Sequence, residues 1–329
     1  MTGKLIQSLA ILGLGMVLQA DPLTAQSTAP GDSSETHRLL SFWDPLTPAN
    51  LHPTANRNAE PHRDAVAMKL ARVKTYQFRT VDYPAAYASA ALDVNRGTAV
   101  GVFQNMNQST GFYFQQNSYH SLNVPGSIAS FIRGINSTNQ MVGSFTNSNG
   151  VRQGFLYDGT TFTTINPDGS VFTEAMDISD SGVIVGDYFD SSNVHGFVFD
   201  HGAITTIDYP GSSSTTASGI NSKGDIVGFY QDSSGARNGF LLSNGVYYPI
   251  AFPLADTTIV EGINDAGAIA GSFLYADQIS HGFVYRRGVF NQVDVDGATD
   301  TYLYRVKNNG SIVGFVTDSV GERHGVIGR

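Results

Sequence analysis

Five charged residues could do chemistry, because they stand where other copies of a repeated sequence carry small or apolar residues. They fill the two positions before an Ile-Asn or similar pair: Asp93, Arg133, Asp177, Glu261 and Arg305. Two carboxylates such as Asp177 and Glu261 could act as the acid and base of a glycosidase. Asp93 and Arg305 are expected to pair with each other. We therefore take Arg133, Asp177 and Glu261 as candidate binding residues, and we assign no catalytic residue.

Two further sets of residues could bind a metal ion. Three histidines share one place in three copies, where the other copies carry Thr, Gln or Asn: His195, His281 and His324. Because equivalent positions on separate units need not converge, we expect them to form hydrogen bonds between units. The segments "DVDGATD" (294–300) and "DYFDSSN" (187–193) offer the clustered oxygens that calcium prefers. The first aligns with a strand end, Asp294 matching Asp82 and Asp208, so we expect no cofactor, with calcium as the alternative.

An asparagine recurs in the phrase G-I-N, always before a turn. The four copies are Asn95, Asn136, Asn221 and Asn264. An Asn side chain can hydrogen-bond the backbone of its own turn. We predict a structural role for these residues.

Composition excludes several classes of function. The chain has 329 residues and no cysteine, which excludes disulfides, thiolate catalysis and Cys-ligated zinc. Residues 76–329 carry 12 Lys and Arg against 22 Asp and Glu, a net charge of −10. An acidic body without a basic cluster is a poor match for nucleic acid or an anionic membrane surface. The chain also lacks nucleophile-elbow, phosphate-loop and His-Glu-x-x-His motifs.

The elements that position these residues come from an internal repeat. One glycine column runs through six copies at spacings of 42 or 43 residues: Gly101, Gly143, Gly186, Gly228, Gly271 and Gly314. A second glycine column, beginning at Gly111 and ending at Gly325, keeps step with it. A period of about 40–45 residues is that of a four-stranded propeller blade. Copy four divides at its turn signals into four short strand-like segments between residues 215 and 252.

The two ends of the repeat region complement each other. The last copy stops after its third strand, "RHGVIGR" (323–329), and "YQFRTVDYPAA" (76–86) matches a fourth-strand segment, "AITTIDYPGSS" (203–213). A ring uses such a segment to complete its last blade, which also hides exposed strand edges. We predict an all-β fold over residues 76–329, a six-bladed β-propeller with four antiparallel strands per blade, closed by the N-terminal strand.

The repeats resemble the HAF family of extracellular repeats in exported bacterial proteins. The matching signature is "HGF" at 195–197 and 281–283, with "HGV" at 324–326 and "QGF", "TGF" or "NGF" elsewhere. The resemblance covers about three quarters of the chain. It implies export and a repeat fold, and no defined reaction or catalytic residue.

The first 75 residues differ from the repeats. Lys4 and the apolar run 5–18 predict a signal peptide over 1–25, because the run is too short for a membrane span. Residues 26–75, rich in Pro, Ser, Thr and Asn, predict a flexible arm.

We therefore expect a periplasmic or extracellular protein, monomeric, with no membrane span once the signal is removed. It should be a non-enzymatic binding or scaffolding module for a glycan, a cell-surface component or a protein. The alternative is a propeller hydrolase or lyase that acts on extracellular polysaccharide at the channel mouth. Propellers host both roles, so the fold does not separate them.

Overall fold

The computed structural model describes residues 75–105 and 108–329, which belong to one compact unit. The predicted signal peptide and all of the predicted arm except Thr75 lie outside these residues. Within the described ranges, no helix is long and apolar enough to cross a membrane. Secondary structure there is β-strand, as the sequence predicts.

The strands follow one another in groups of four, which we call repeats 1 to 6. Repeat 1 contains β2 (Ala88–Asn95), β3 (Thr98–Gln104), β4 (Ser109–Gln115) and β5 (Ser118–Leu122). Repeat 2 contains β6 (Ala129–Ile135), β7 (Met141–Thr146), β8 (Arg152–Tyr157) and β9 (Phe162–Ile165). Repeat 3 contains β10 (Phe172–Ile178), β11 (Ile184–Phe189), β12 (Val194–Asp200) and β13 (Ala203–Ile207).

The remaining repeats have the same order. Repeat 4 contains β14 (Ser214–Ile220), β15 (Ile226–Gln231), β16 (Arg237–Ser243) and β17 (Val246–Ile250). Repeat 5 contains β18 (Thr257–Ile263), β19 (Ile269–Leu274), β20 (Ser280–Arg286) and β21 (Val289–Val293). Repeat 6 contains β22 (Asp300–Val306), β23 (Ile312–Thr317) and β24 (Arg323–Gly328), together with β1 (Phe78–Thr80).

Neighbouring strands of each repeat pair antiparallel, first to second, second to third and third to fourth. In repeat 6 the fourth strand is β1, whose Phe78 faces Gly328 and whose Thr80 faces Val326 on β24. The expected pairing of the N-terminal segment with the last copy is therefore confirmed. Each first strand also contacts the first strand of the next repeat, and β22 contacts β2.

A β-bulge interrupts the first strand of every repeat at the same place. In repeat 2 the register shifts between Ile132 and Gly134, so that Arg133 is the extra residue. The first glycine column stands opposite the bulge: a side chain on Gly143 would collide with the carbonyl oxygen of Phe131. A bulge re-aims the side chain it carries. The repeated glycine on the second strand therefore indicates a bulge on the first strand. The bulge changes the direction of one side chain per repeat, so that it no longer alternates between the two faces of the sheet.

The hydrophobic core lies between neighbouring repeats. Fully buried Val100 of repeat 1 clusters with Ile132 and Phe155 of repeat 2. Where repeat 3 meets repeat 4, Tyr209 stacks on Tyr230 with ring centroids 3.6 Å apart. The second glycine column permits a close approach between repeats 4 and 5, because a side chain on Gly239 would collide with Val260 of repeat 5. Each repeat therefore depends on its neighbours for burial.

Candidate functional site

A polar pocket of about 100 Å³ opens among the turns that join the first and second strands, and all six repeats contribute to it. Its polar lining includes Asn95, Asp177, Asp180, Asn221, Asp265, Arg305, Lys307 and Asn308. We call it the axial pocket, because the first strands of all six repeats end at it. The volume suits a few water molecules or part of a ligand.

The asparagines around this pocket tie each turn to itself and to the next repeat. The Oδ1 of Asn264 accepts hydrogen bonds from the amides of Ala266 (3.0 Å) and Ala268 (2.9 Å). Its Nδ2 donates to the carbonyl of Lys307 in repeat 6, at 3.1 Å. Asn136 and Asn221 make equivalent bonds. The predicted turn-capping role is confirmed for these three residues, and the link to the next repeat is an addition that the sequence did not reveal.

A second set of links lies one residue further along each turn. The Oδ1 of Asp180 accepts from the amide of Ser137 at 2.8 Å, and the Oδ1 of Asp265 accepts from the amide of Ser222 at 2.8 Å. The amide of Asp265 in turn donates to the Oδ1 of Asn308, at 2.9 Å. The rim of the pocket is therefore held in shape by bonds between consecutive repeats.

Two carboxylates below the rim bind the backbone of the following repeat. Asp177 accepts from the amides of Ile178 (2.9 Å) and, in the next repeat, Ile220 (3.1 Å). Asp93 accepts from the amide of Ile135 at 3.1 Å, and its Oδ1 lies 2.7 Å from the Nζ of Lys307. The expected pairing of Asp93 with Arg305 is wrong. Lys307 is the partner, because the guanidinium of Arg305 is directed instead to the carbonyls of Glu261 and Met176.

Arg305 lies between repeats that are far apart in sequence. Its guanidinium donates to the carbonyl of Glu261 in repeat 5 (2.6 Å) and to the carbonyl of Met176 in repeat 3 (2.7 Å). Its Nε is 3.6 Å from the Oδ2 of Asp177. The burial of Asp177 raises the pKa of its carboxyl, although the charge of Arg305 opposes the shift.

A second group of buried charges surrounds Glu174. Its Oε2 accepts from the Nη2 of Arg133 at 2.8 Å, and its Oε1 accepts from the Nη1 of Arg152 at 2.6 Å. The Glu174 side chain is fully buried, and the guanidinium of Arg152 also lies over the Phe131 ring at 4.8 Å. Sequence reasoning missed Glu174 and Arg152. The available signal for Glu174 was a second charged residue, besides Asp177, within the largely apolar strand segment "VFTEAMDI" (171–178).

Glu261 is half-buried, and its Oε2 is a buried atom with no hydrogen-bond partner among the described residues. Burial raises the pKa of Glu261 to about 7; the charges of Arg305 and Arg133 lower it, and that of Glu174 raises it. Burial likewise raises the pKa of Asp187 well above its usual range, with the charge of Glu174 adding to the shift. A carboxyl with a pKa of about 7 is about half protonated at neutral pH, as expected for Glu261.

The structure does not bring the three candidate binding residues into one pocket. Asp177 lines the axial pocket, Arg133 is paired with Glu174, and the Glu261 side chain is not part of the pocket lining. The positions that sequence reasoning missed at the pocket are Asp180, Asp265, Lys307 and Asn308.

The three repeated histidines bind aspartates of the same sheet, so the expectation of bonds between repeats is wrong. The Nδ1 of each donates to a carboxylate at the end of the adjacent fourth strand: His195 to Asp208 (2.9 Å), His281 to Asp294 (3.1 Å) and His324 to Asp82 (2.9 Å). Because the third and fourth strands pair, residues thirteen apart become neighbours in repeats 3 and 5, and in repeat 6 β1 brings Asp82 to His324.

The carboxylates of the two calcium-like segments turn to different neighbours. Asp294 accepts from His281 and from the Nε2 of Gln292 (2.7 Å), and Asp300 accepts from the amide of Ser280 (3.0 Å). Asp187 is buried in the interior, and Asp190 caps its own turn through the amide of Asn193 (2.9 Å).

Comparison with known proteins gives structural likeness only. No protein-family model and no curated protein matches the chain. AofleA from Arthrobotrys oligospora is 13% identical over 78% of this chain and 87% of its own, with a TM-score of 0.51. TolB from Acinetobacter baumannii is 11% identical over 71% of this chain and 64% of its own, with a TM-score of 0.51.

The Aleuria aurantia lectin, described as a six-bladed β-propeller that recognises fucose, is 15% identical over 76% of this chain and 90% of its own, with a TM-score of 0.47. At such low identities, the likeness to AofleA and TolB concerns the all-β fold alone.

Proposed function

We propose that residues 76–329 form a closed six-bladed β-propeller, in which each repeat is one blade. Three observations support closure: β1 pairs with β24, β22 contacts β2, and Arg305 of repeat 6 reaches the Met176 carbonyl of repeat 3. Val81, next to β1, is fully buried in the cluster that joins repeats 1 and 6. With these contacts, repeat 1 and repeat 6 each pack against a neighbouring repeat on both sides.

Deletion of residues 76–84 tests closure. It removes β1, Val81, Asp82 and the Tyr83 ring, which stacks on Phe103 at 3.7 Å. We expect the mature protein to lose more than about 4 kcal/mol of stability in urea unfolding, since an outer strand, the fully buried Val81 and the partly buried Tyr83 ring are lost together. An unchanged unfolding midpoint would contradict the closed ring.

We further propose that the protein is an exported, monomeric, non-enzymatic binding module of the HAF repeat type, and that its ligand is a glycan. Lys4 and the apolar run 5–18 support export. The charged residues of the first strands support a binding role over a catalytic one, because Glu174 is held by two arginines and Asp177 by two backbone amides. Groups engaged in this way are not positioned to transfer protons to a substrate.

The observation that carries the glycan assignment is the composition of the axial pocket. Its lining offers carboxylates that accept hydrogen bonds, amides that both donate and accept, and the cations of Arg305 and Lys307. Sugar hydroxyls, which donate and accept, suit such a lining. Because the pocket holds only about 100 Å³, part of one sugar unit enters it, and the remainder contacts the rim.

A glycan array followed by calorimetry tests this assignment. The double variant Asp180→Ala, Asn308→Ala removes two exposed rim side chains, and we expect at least tenfold weaker binding of any glycan that the wild type binds. The matched control is Asp296→Ala, in the turn at the opposite end of β22. No binding to any glycan would contradict the ligand class. Equal binding by both variants would contradict the pocket.

One observation favours the second candidate, a hydrolase or lyase. A buried carboxyl with a pKa of about 7, as in Glu261, is a form in which enzymes hold a general acid. Incubation of the mature protein with the bound glycan, followed by measurement of new reducing ends, tests this reading. Turnover in the wild type that is lost in Glu261→Gln would favour the enzyme.

A further inference from the structure

Three potential metal ligands meet where the N-terminal strand joins the last repeat. Asp318 begins the turn after β23, Glu322 ends it, and His324 lies near the start of β24. One ligand atom from each side chain lies within 4.8 Å of the other two. Among the described residues, it is this group of one histidine and two acidic side chains that lies close enough together to bind one cation.

The imidazole of His324 is fixed so that one nitrogen is presented to the two acids. Its Nδ1 donates to the Oδ2 of Asp82 at 2.9 Å, and its Nε2 lies 3.5 Å from the Oδ2 of Asp318. Asp82 belongs to the segment after β1 and is not one of the three ligands. A carboxylate that holds the second nitrogen of a histidine is the usual outer partner of a metal-bound imidazole.

The two acids are presented from a rigid turn. The Oδ1 of Asp318 accepts from the amides of Val320 and Glu322, both at 2.9 Å, which directs the other oxygen toward His324. The amide of Asp318 donates to the carbonyl of Glu322 at 2.9 Å, so the two residues face each other across the base of the turn. The Glu322 carboxylate makes no hydrogen bond to any described residue, and it is exposed.

We propose that Asp318, Glu322 and His324 form a binding site for one divalent cation of the zinc class, with Asp82 as the residue that orients His324. One imidazole nitrogen and two carboxylate oxygens suit Zn²⁺, whereas Ca²⁺ and Mg²⁺ prefer oxygen ligands alone. The separation of 3.5 Å between Nε2 and Oδ2 is long for a hydrogen bond. It is close to the edge of a tetrahedron around Zn²⁺, about 3.4 Å for ligand distances near 2.1 Å.

The other repeats provide natural comparisons inside the same chain. His195 has the same outer carboxylate, Asp208, and its Nε2 lies 3.3 Å from Asp190, but Asn193 stands near the place of Glu322. His281 has the outer carboxylate Asp294 and no acid at its Nε2 among its recorded partners. The equivalent places thus offer three ligands in repeat 6, two in repeat 3 and one in repeat 5. Among the described residues, the full set occurs only in repeat 6.

The position of the site gives the cation a structural effect. The ligands come from β24 and the turn before it, and the orienting Asp82 follows β1, so a bound cation strengthens the joint between the first and last strands.

Calorimetry on the untagged mature protein, dialysed against a chelator, tests the proposal with ZnCl₂ and CaCl₂ at pH 7.5. We expect one equivalent of zinc to bind and to raise the unfolding temperature in proportion to the logarithm of free zinc. Calcium at the same concentration should bind at least a hundredfold more weakly. CoCl₂ should give visible absorption bands of a four- or five-coordinate ion.

Four variants separate the site from adventitious binding. His324→Ala should abolish stoichiometric binding and the cobalt bands, and Glu322→Gln, at an exposed residue, should weaken zinc at least tenfold without affecting the fold. Asp82→Asn should weaken it by about 10- to 100-fold. The matched control His281→Ala should bind zinc like the wild type.

The opposite results overturn the proposal. Zinc binding that stays weak and unsaturated in the wild type, or that persists unchanged in both His324→Ala and Glu322→Gln, would show an adventitious ion only. A loss of binding in His281→Ala equal to that in His324→Ala would also overturn it.

Discussion

The charged residues of the first strands, which we call the inner charges, differ from the histidine–aspartate pairs of the third and fourth strands, which we call the outer pairs. They differ in burial and in whether they join neighbouring repeats. The side chains of Glu174 and Asp93 are 0% and 1% exposed, whereas His195 and Asp208 are 20% and 44% exposed. Removing an ion from water costs several kcal/mol unless a partner is well placed. An exposed pair contributes only about 0–1 kcal/mol. The two regions should therefore respond very differently to mutation.

The regions also differ in what they join. A histidine pair lies within one sheet, so it can recur unchanged, as in His195 with Asp208 and His281 with Asp294. Several inner charges join one repeat to another: Arg133 binds Glu174, and Asp93 and Asp177 each accept from an amide of the following repeat. A link between repeats distinguishes one neighbour from the others. Deviations from the repeat are therefore concentrated in the inner strands.

The largest expected effect is that of Glu174→Ala. The substitution removes the carboxylate that accepts from both Arg133 and Arg152, so we expect a loss of 3–5 kcal/mol in urea unfolding. The exposed control Asp296→Ala should change stability by less than about 0.5 kcal/mol. A loss below about 1 kcal/mol would remove the distinction between the two regions.

A second test uses pH to isolate Glu261. Its folded pKa of about 7 exceeds the ordinary value of 4.5, so its contribution to stability is complete below pH 4.5 and is lost as the pH rises through 7. Glu261→Gln does not titrate, and relative to the wild type it should gain about 3 kcal/mol between pH 4.5 and 8. The raised pKa values of Asp177 and Asp187 act in the same direction in both proteins and cancel in the difference. Parallel curves of unfolding free energy against pH would contradict the shift.

A smaller effect is expected at the rim. Asn264→Ala removes two bonds to its turn and one to the Lys307 carbonyl, with an expected cost of about 2 kcal/mol. Asn95→Ala is the matched control, because no side-chain hydrogen bond of Asn95 to a described residue is present. Thermal unfolding of the two variants measures the difference in stability. Equal losses of unfolding free energy would show that the hydrogen bonds of Asn264, including the one between repeats, add no stability.

The smallest effect should come from an outer pair. His281→Gln removes a partly exposed partner of Asp294, and we expect a loss below about 1 kcal/mol that shrinks further in 0.5 M salt. A loss above about 2 kcal/mol in the same urea assay would show that an outer pair contributes as much to the unfolding free energy as the buried charges do.

Much of the fold follows from the sequence because its causes are local and periodic. Two glycine columns in step mark the strands, and the match between 76–86 and 203–213 predicts that β1 pairs with β24. The alignment of Asp82 with Asp208 and Asp294 anticipates that all three occupy the same place, and each accepts from a histidine. Their pairing within one sheet was missed, because the one-dimensional pattern does not say which neighbours the histidines face.

The candidate site was only partly predictable. The sequence drew attention to Arg133, Asp177 and Glu261 as departures from the repeat, but it missed Glu174, which binds Arg133, and Lys307, which binds Asp93. A departure from a repeat shows that a position is special. It does not show the direction of the side chain, which here depends on the bulge in each first strand.

By itself, the sequence determined the six copies, the strand order within each copy, the turn-capping asparagines and the segment that completes the last copy. Each of these depends on residues a few positions apart or on an exact period. Only the tertiary structure decided the partners of the buried charges, the composition of the axial pocket and the meeting of Asp82, Asp318, Glu322 and His324. Those contacts join residues as far apart as Met176 and Arg305, and their distances are set by how whole repeats pack against one another.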